Sequence, residues 1–73
     1  MRVTINGKPD EVEAGTTVAD LVSRYNLQPR HVAVEINRNL VPRRSFEQTT
    51  LQEGDQVEIV TLVGGGSGAM QAG

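Results

Sequence analysis

The sequence contains no cysteine and a single histidine, His31. The absence of cysteine excludes disulfides, thiolate nucleophiles and thiolate metal ligands within these 73 residues. One histidine is too few to anchor a zinc site, which takes roughly three or four protein ligands. Aromatic side chains are scarce as well, with one tyrosine, one phenylalanine and no tryptophan. The sequence therefore predicts no metal site and a thin core built mainly from Val, Ile and Leu.

Long hydrophobic runs are also missing. No apolar run approaches the roughly 18 residues of a membrane span, and the segment after Met1 alternates where a signal peptide would be apolar. The net charge of −2 at pH 7 gives no reason to expect binding to nucleic acid. We therefore expect a soluble cytoplasmic protein with no membrane or nucleic-acid partner, too small to enclose a deep substrate cavity.

Most of the chain shows the period-two alternation that is typical of half-buried strands. Strands are predicted at residues 2–5, 9–13, 32–37, 40–41 and 57–62. Asn6-Gly7 separates the first two strands and is a strong hairpin signal, because both residues tolerate a positive φ. Pro9 donates no main-chain hydrogen bond, so the second strand is expected at an edge of the sheet.

One amphipathic helix is predicted after the second strand. Thr16 or Thr17 is the expected N-cap, and Thr17 and Asp20 have the spacing of a capping box. Four apolar residues then fall on one face and predict a helix of about ten residues: Val18, Leu21, Val22 and Tyr25. Tyr25, at the end of this stripe, is expected in the core.

The predicted order of elements is β-β-α-β-β-β, with Phe46 and Leu51 as core side chains in the irregular stretch before the last strand. With the helix as a crossover, this order predicts an α+β fold in which a mixed sheet of four to five strands packs on one helix. Residues 1–63 are expected to form this domain. Residues 64–73 contain five glycines and nothing that can pack a core, so a flexible, disordered tail is predicted there.

Five blocks of sequence carry a resemblance to a known family. They are Ile5-Asn6-Gly7, Ala14-Gly15-Thr16-Thr17-Val18, Val32-Ala33-Val34-Glu35-Ile36-Asn37, Val41-Pro42-Arg43 and Leu51-x-x-Gly54-Asp55-x-Val57-Glu58-Ile59. In this order and spacing, and with glycines directly after the last strand, the chain resembles the ThiS-type sulfur carriers of thiamin biosynthesis over about residues 1–66. Each block alone is weakly specific, but the set is specific. The resemblance implies the ubiquitin-like β-grasp fold.

The resemblance also implies a carrier that is not itself an enzyme and binds no cofactor. In that family an E1-like adenylating enzyme uses ATP and magnesium to activate the carboxylate of a terminal Gly-Gly pair. A sulfur donor of the cysteine desulfurase type then supplies the sulfur of a thiocarboxylate, and thiazole synthase accepts it. Gly65 and Gly66 match the pair by position, with Gly66 as the sulfur-carrying terminus. Gly64 directly before them leaves a shift of one residue open.

Glycines suit this chemistry because they have no Cβ, so the tail can enter a narrow channel. The four residues from Leu62 to Gly66 span roughly 13–14 Å when extended. Seven residues, Ser67 to Gly73, follow the pair, and an acyl adenylate forms only on a free carboxylate. Either a processing protease removes these residues, or Gly73 is activated, or the chain is an inactive relative. We rank removal first.

The last predicted strand ends in apolar residues that break the inward alternation. Val60 and Leu62 fall on the face opposite Ile59, and Val63 follows them. Exposed apolar residues next to a reactive tail predict a surface on which a partner docks, although single apolar residues on a surface are ordinary. Two alternatives to a thiamin sulfur carrier remain open: a sulfur carrier of the molybdopterin-synthase type, and a ubiquitin-like interaction module that carries no sulfur.

Overall fold

The computed structural model describes residues 1–62 and 70–72. Within this part of the chain there are six strands and one α-helix: β1 Arg2–Ile5, β2 Lys8–Glu11, α1 Val18–Arg24, β3 Val32–Ile36, β4 Asn39–Val41, β5 Gln56–Leu62 and β6 Met70–Ala72. Two short 3-10 turns, Pro29–His31 and Arg43–Ser45, lie before β3 and after β4. No helix of the described residues is long and apolar enough to cross a membrane.

The strands form one mixed sheet in the order β2-β1-β5-β3-β4, and β6 pairs with β5. β1 and β5 run parallel, and every other pairing in this order is antiparallel. Parallel neighbours need a crossover connection, and α1 lies in the connection between them. The predicted α+β architecture, a mixed sheet packed on one helix, is confirmed.

The first hairpin forms where Asn6-Gly7 predicted it. Asn6 has a φ of 50° and Gly7 a φ of 82°, the positive values that a primed two-residue turn requires. Pro9 lies opposite Thr4 in β2, which is the outermost strand at this side of the sheet. The missing donor of Pro9 therefore costs no hydrogen bond to a further strand.

Thr17 is the N-cap of α1 and closes a complete capping box. The Asp20 main-chain N–H donates to Thr17 Oγ1, and the Thr17 main-chain N–H donates to Asp20 Oδ2, each at 3.1 Å. The helix has seven residues, fewer than predicted, because Tyr25 already leaves helical geometry and Asn26 has a φ of 60°. Its three core residues, Val18, Leu21 and Val22, are fully buried.

The prediction that Tyr25 lies in the core is wrong. The side chain is 41 % exposed, and its hydroxyl donates to Asp10 Oδ2 at 3.0 Å. The reason is the early end of the helix, since the periodicity that would place position 25 on the buried stripe stops at Arg24. The exposed phenol keeps its polar atom satisfied through this bond to Asp10.

The core is otherwise the predicted set. Phe46 and Leu51 are buried, as expected, together with apolar residues of α1, β1, β3 and β5. One acidic residue, Asp55, is also buried, and its carboxylate accepts from the Gln52 main-chain N–H at 2.8 Å and from Asn37 Nδ2 at 3.1 Å. The bond from Gln52 closes the turn before β5, and the bond from Asn37 ties that turn to the turn after β3.

β6 was not predicted. Residues 70–72 were expected to belong to a disordered tail, but they run antiparallel to β5, with Thr61 opposite Gln71. The composition argument concerned core packing, whereas pairing at a strand edge uses main-chain groups and needs no apolar side chain. Residues 63–69 and 73, which include Gly64, Gly65 and Gly66, lie outside the described residues. The expectation of disorder there, and the domain boundary at residue 63, stay predictions.

Candidate functional site

The predicted tail leaves the domain from the end of β5, a central strand of the sheet. Val57 and Ile59 point into the core and are 1 % and 3 % exposed. Because side chains alternate along a strand, Val60 and Leu62 point to the other face of the sheet, away from α1. Both are half-buried. The structure thus puts the two predicted docking residues on one face, while Val63 lies outside the described residues.

Two further apolar residues share this outer face. Ala33 of β3 is the cross-strand neighbour of Val60. Leu40 of β4 is 66 % exposed and lies opposite Glu35. We call these four residues the outer apolar patch: Ala33, Leu40, Val60 and Leu62.

Sequence analysis did not place Leu40 on this surface. A signal for it was present in the short strand that contains Leu40 and Val41. Adjacent strand residues point to opposite faces, and Val41 packs against the core. Leu40 therefore had to point outward.

Two carboxylates lie beside the outer apolar patch. Glu35 and Glu58 are directly opposite each other across β3 and β5, on the same face as Val60. Like charges in this position repel each other and weaken the pairing of the strands. A basic group of a partner would relieve that repulsion, so the electrostatic complement of this surface is positive.

The side chain of Asn6 holds β5 just before the tail begins. Ile59 donates its main-chain N–H to Asn6 Oδ1 at 2.8 Å, and Asn6 Nδ2 donates to the Ile59 carbonyl at 3.2 Å. The Asn6 main-chain N–H also donates to the carbonyl of Val57 at 2.9 Å. A turn residue therefore extends the pairing of β1 with β5 by one position. Sequence analysis assigned Asn6 to the turn alone, because no local pattern reports a partner 53 residues away.

A groove of about 470 Å³ lies beside the hydrogen bonds between Asn6 and Ile59. Its lining includes Asn6, Tyr25, Leu27 and Thr61. At its rim, hydrogen bonds from the Glu11 main-chain N–H and then the Tyr25 hydroxyl lower the pKa of Asp10. Burial, and secondly the hydrogen bond to Asp10, raise the pKa of Tyr25. The described residues include no group of three or more His, Cys, Asp or Glu side chains that could hold a metal ion.

Residues 3–66 match the model of the ThiS family. The chain belongs to the ThiS family. The match ends at Gly66, the residue that the resemblance implied as the carrying terminus, and it favours the thiamin-type interpretation over the molybdopterin-type alternative.

Relatives and solved structures agree with this membership. A sulfur carrier protein ThiS from Bacillus subtilis is 35 % identical over 63 residues, which cover 85 % of this chain and 96 % of the relative. The crystal structure of a ThiS from Geobacter metallireducens superposes with a TM-score of 0.77 at 38 % identity, over 90 % of this chain and 100 % of that one. The ubiquitin-like β-grasp assignment of this ThiS-family chain is thereby confirmed.

A third relative is much longer. A thiazole synthase from Magnetococcus marinus is 42 % identical over 66 residues, which cover 90 % of this chain. Those residues make up 20 % of the synthase. The ThiS-family chain thus spans about a fifth of the length of this relative.

Proposed function

We propose that this chain carries sulfur for the synthesis of the thiamin thiazole, with the carboxylate of Gly66 as the carrying group. The observation that carries the proposal is the position of the family match, which runs through the whole β-grasp domain and stops at Gly66, four residues after β5 ends at Leu62. A chain end at this position could enter another protein's active site while the domain stays outside, since about four extended residues span roughly 13–14 Å.

The proposed chemistry needs no acid, base or nucleophile from the carrier. The Gly66 carboxylate attacks the α-phosphorus of ATP on the adenylating partner, and pyrophosphate leaves. A cysteine persulfide of the sulfur donor then attacks the acyl carbon, and AMP leaves. Reduction of the resulting acyl disulfide by a thiol releases the thiocarboxylate. The carrier has no cysteine, so persulfide and thiol both belong to its partners, as do ATP and magnesium.

The outer apolar patch is the proposed docking surface for the adenylating partner. Val60 and Leu62 of the patch lie at the end of β5, shortly before the glycines in the sequence. A partner that covers them therefore holds the base of the tail. Glu35 and Glu58 beside the patch would meet a basic group of that partner.

Thiazole synthase is the proposed acceptor of the sulfur. The relative from Magnetococcus marinus supports this, because a segment similar to this chain is part of a protein that bears that name. If a carrier segment and its acceptor belong to one chain, the acceptor meets the carrier at a high effective concentration.

Removal of Ser67 to Gly73 is the proposed step before activation. In the sequence as it stands the Gly66 carbonyl is part of a peptide bond to Ser67 and has no carboxylate to adenylate. A protease that cleaves after Gly66 would create that carboxylate.

Intact-mass measurement tests the carrying residue. Three chains, the full sequence and versions that end at Gly66 and at Gly65, are incubated with the adenylating enzyme, ATP, magnesium, a cysteine desulfurase and cysteine. We expect only the version that ends at Gly66 to exchange one oxygen for sulfur. Reaction of the version ending at Gly65 instead would move the terminus by one residue. Equal reaction of the uncleaved full chain would contradict the removal step, and no reaction in any chain would contradict the carrier function.

Two charge substitutions test the docking surface. Val60→Asp places a carboxylate in the outer apolar patch and should weaken binding to the adenylating enzyme by at least about tenfold, as loss of a central apolar contact does. Gln48→Asp adds the same charge at an exposed position outside the patch and is the matched control. Titration calorimetry on versions ending at Gly66 measures both. Equal binding by the two variants would exclude the patch as the docking surface.

A further inference from the structure

One edge of β5 is occupied by three successive partners. β1 pairs with it at Val57, the Asn6 side chain binds it at Ile59, and β6 pairs with it from Val60 to Leu62. The opposite edge pairs with β3 alone. The three partners on the first edge differ in kind: a strand of the sheet, a single side chain, and three residues from beyond the family match.

The main-chain groups of Thr61 face this first edge. The carbonyl of Gln56 accepts from Asn37 on the β3 side, whereas the carbonyl of Val57 accepts from Asn6 on the β1 side. Because successive residues of a strand direct their main-chain groups to opposite neighbours, odd-numbered residues of β5 face β1 and β6. Thr61 is therefore the residue that exchanges hydrogen bonds with Gln71, its partner in the register. Val60 and Leu62 direct their main-chain groups toward the β3 side.

We propose that the edge of β5 at Val60–Leu62 is a strand-binding surface, which Met70–Ala72 occupies in this chain and which an extended segment of the adenylating partner takes over once Met70–Ala72 has been removed. The proposal rests on the proposed function for the identity of the partner and for the removal step. An exposed strand edge is a template for another chain, and addition of a strand is a common mode of peptide recognition. The paired Met70–Ala72 shows that this edge accepts an antiparallel strand in this register.

The present occupant is suited to being displaced. The pairing is three residues long, so it offers few main-chain hydrogen bonds, and each of them contributes only a small net stabilisation. A longer segment of a partner could form the same bonds and also cover the side chains of Val60 and Leu62 on the outer face. Removal of residues 67–73 would then do two things: it would create the Gly66 carboxylate and open the edge of β5.

Hydrogen exchange of the Thr61 amide tests the first half of the proposal. In the full chain this amide should exchange about tenfold more slowly than in the version that ends at Gly66, a protection typical of a locally opening element. The Val60 amide, which faces β3, should exchange at the same rate in both. Equal rates for Thr61 would show that Met70–Ala72 does not occupy the edge in solution.

A pair of proline variants of the full chain separates the pairing from the rest of the extension. Gln71→Pro removes the main-chain donor that faces Thr61, so the Thr61 amide should exchange as fast as in the version ending at Gly66. Ala72→Pro is the matched control, because the main-chain groups of this position face away from β5 and an edge strand tolerates proline there. If both variants leave the rate at Thr61 unchanged, or both raise it equally, the proposed register is wrong.

Exchange in the complex tests the partner strand. The version ending at Gly66 is bound to the adenylating enzyme without ATP, and the Thr61 amide should again exchange at least about tenfold more slowly. Binding that leaves Thr61 unprotected, or absence of binding, overturns the proposal. Sulfur transfer is not part of this measurement. Protection without later transfer would contradict the proposed function alone, and transfer without protection would contradict the strand-binding surface alone.

Discussion

The Asn6 side chain provides the sharpest test of how the base of the tail is held. It accepts from Ile59 N–H at 2.8 Å and donates to the Ile59 carbonyl at 3.2 Å, and both bonds are partly buried. Asn6→Gly removes the two bonds and keeps a residue that adopts the observed φ of 50° readily. Asn6→Ala removes the same bonds and keeps a Cβ at this left-handed φ, without the polar side chain that lets Asn adopt it.

The expected cost follows from the two bonds. Each contributes about 0.5–1.5 kcal/mol net, so Asn6→Gly should lower the free energy of unfolding by about 2 kcal/mol. For a domain of this size that corresponds to a fall in Tm of roughly 8–16 °C. Asn6→Ala should cost about 1–2 kcal/mol more, because of the left-handed φ. Asn6→Asp keeps an acceptor for Ile59 N–H but places a carboxylate against the Ile59 carbonyl. The loss of unfolding free energy in Asn6→Asp should become smaller below about pH 4, where a protonated carboxyl can donate to the Ile59 carbonyl.

Thermal and urea unfolding, followed by circular dichroism, measure these differences. Asn26→Gly is the matched control, since Asn26 also has a positive φ, 60°, but its side chain takes part in none of the hydrogen bonds of the described residues. That change should shift the free energy of unfolding by less than about 0.5 kcal/mol. If Asn6→Gly lowers Tm no more than Asn26→Gly does, the side chain of Asn6 does not hold β5.

Three further predictions concern the same domain. Thr17→Ala breaks the capping box and should cost about 1 kcal/mol in urea unfolding, whereas Thr17→Ser should cost little. The folded pKa of Asp10 lies below its ordinary value of 3.8, so its stabilising effect is present above that value and lost as pH falls through the folded pKa. Asp10→Asn should therefore flatten the loss of Tm in melts below about pH 4, and an unchanged slope would contradict this assignment. The Arg43 guanidinium donates to the carbonyls of Pro29 and Arg30 at 3.0 and 3.3 Å. Arg43→Lys cannot span both and should speed cleavage near residue 30 in limited proteolysis, while Arg44→Lys should not.

Features set by neighbouring residues were predictable from the sequence. The hairpin at Asn6-Gly7, the capping box of Thr17 and Asp20, and the alternation of β3 each depend on residues a few positions apart. The burial of Phe46 followed from there being so few large apolar residues to fill the core. The family match rests on the same local blocks, so it was also predictable from the sequence.

Features set by distant pairing were not predictable in this way. The bond from Asn6 to Ile59 and the pairing of Gln71 with Thr61 join residues that no periodicity links. Tyr25 fitted the helical stripe, but the helix ended one residue before it. For Tyr25 and for residues 70–72, the predictions relied on side-chain patterns. The main chain decided both outcomes, through the end of the helix and through pairing at a strand edge.

The contacts that hold this edge of β5 become weaker toward the tail. Val57 is buried in the core and paired with strands on both sides, Ile59 is held on one side by a single side chain, and Thr61 faces a strand of three residues. A sulfur carrier needs a rigid domain and an end that can leave it, and this series supplies both. Once Met70–Ala72 has been removed, a partner can occupy the end of this edge and need not disturb the core. Loss of the Asn6 side chain would leave this edge of β5 without a partner after Val57, while the pairing with β3 on the other side remains. An Asn6→Gly chain ending at Gly66 should therefore bind its partner with a larger entropic cost, because only β3 then restrains the end of β5 before the complex forms.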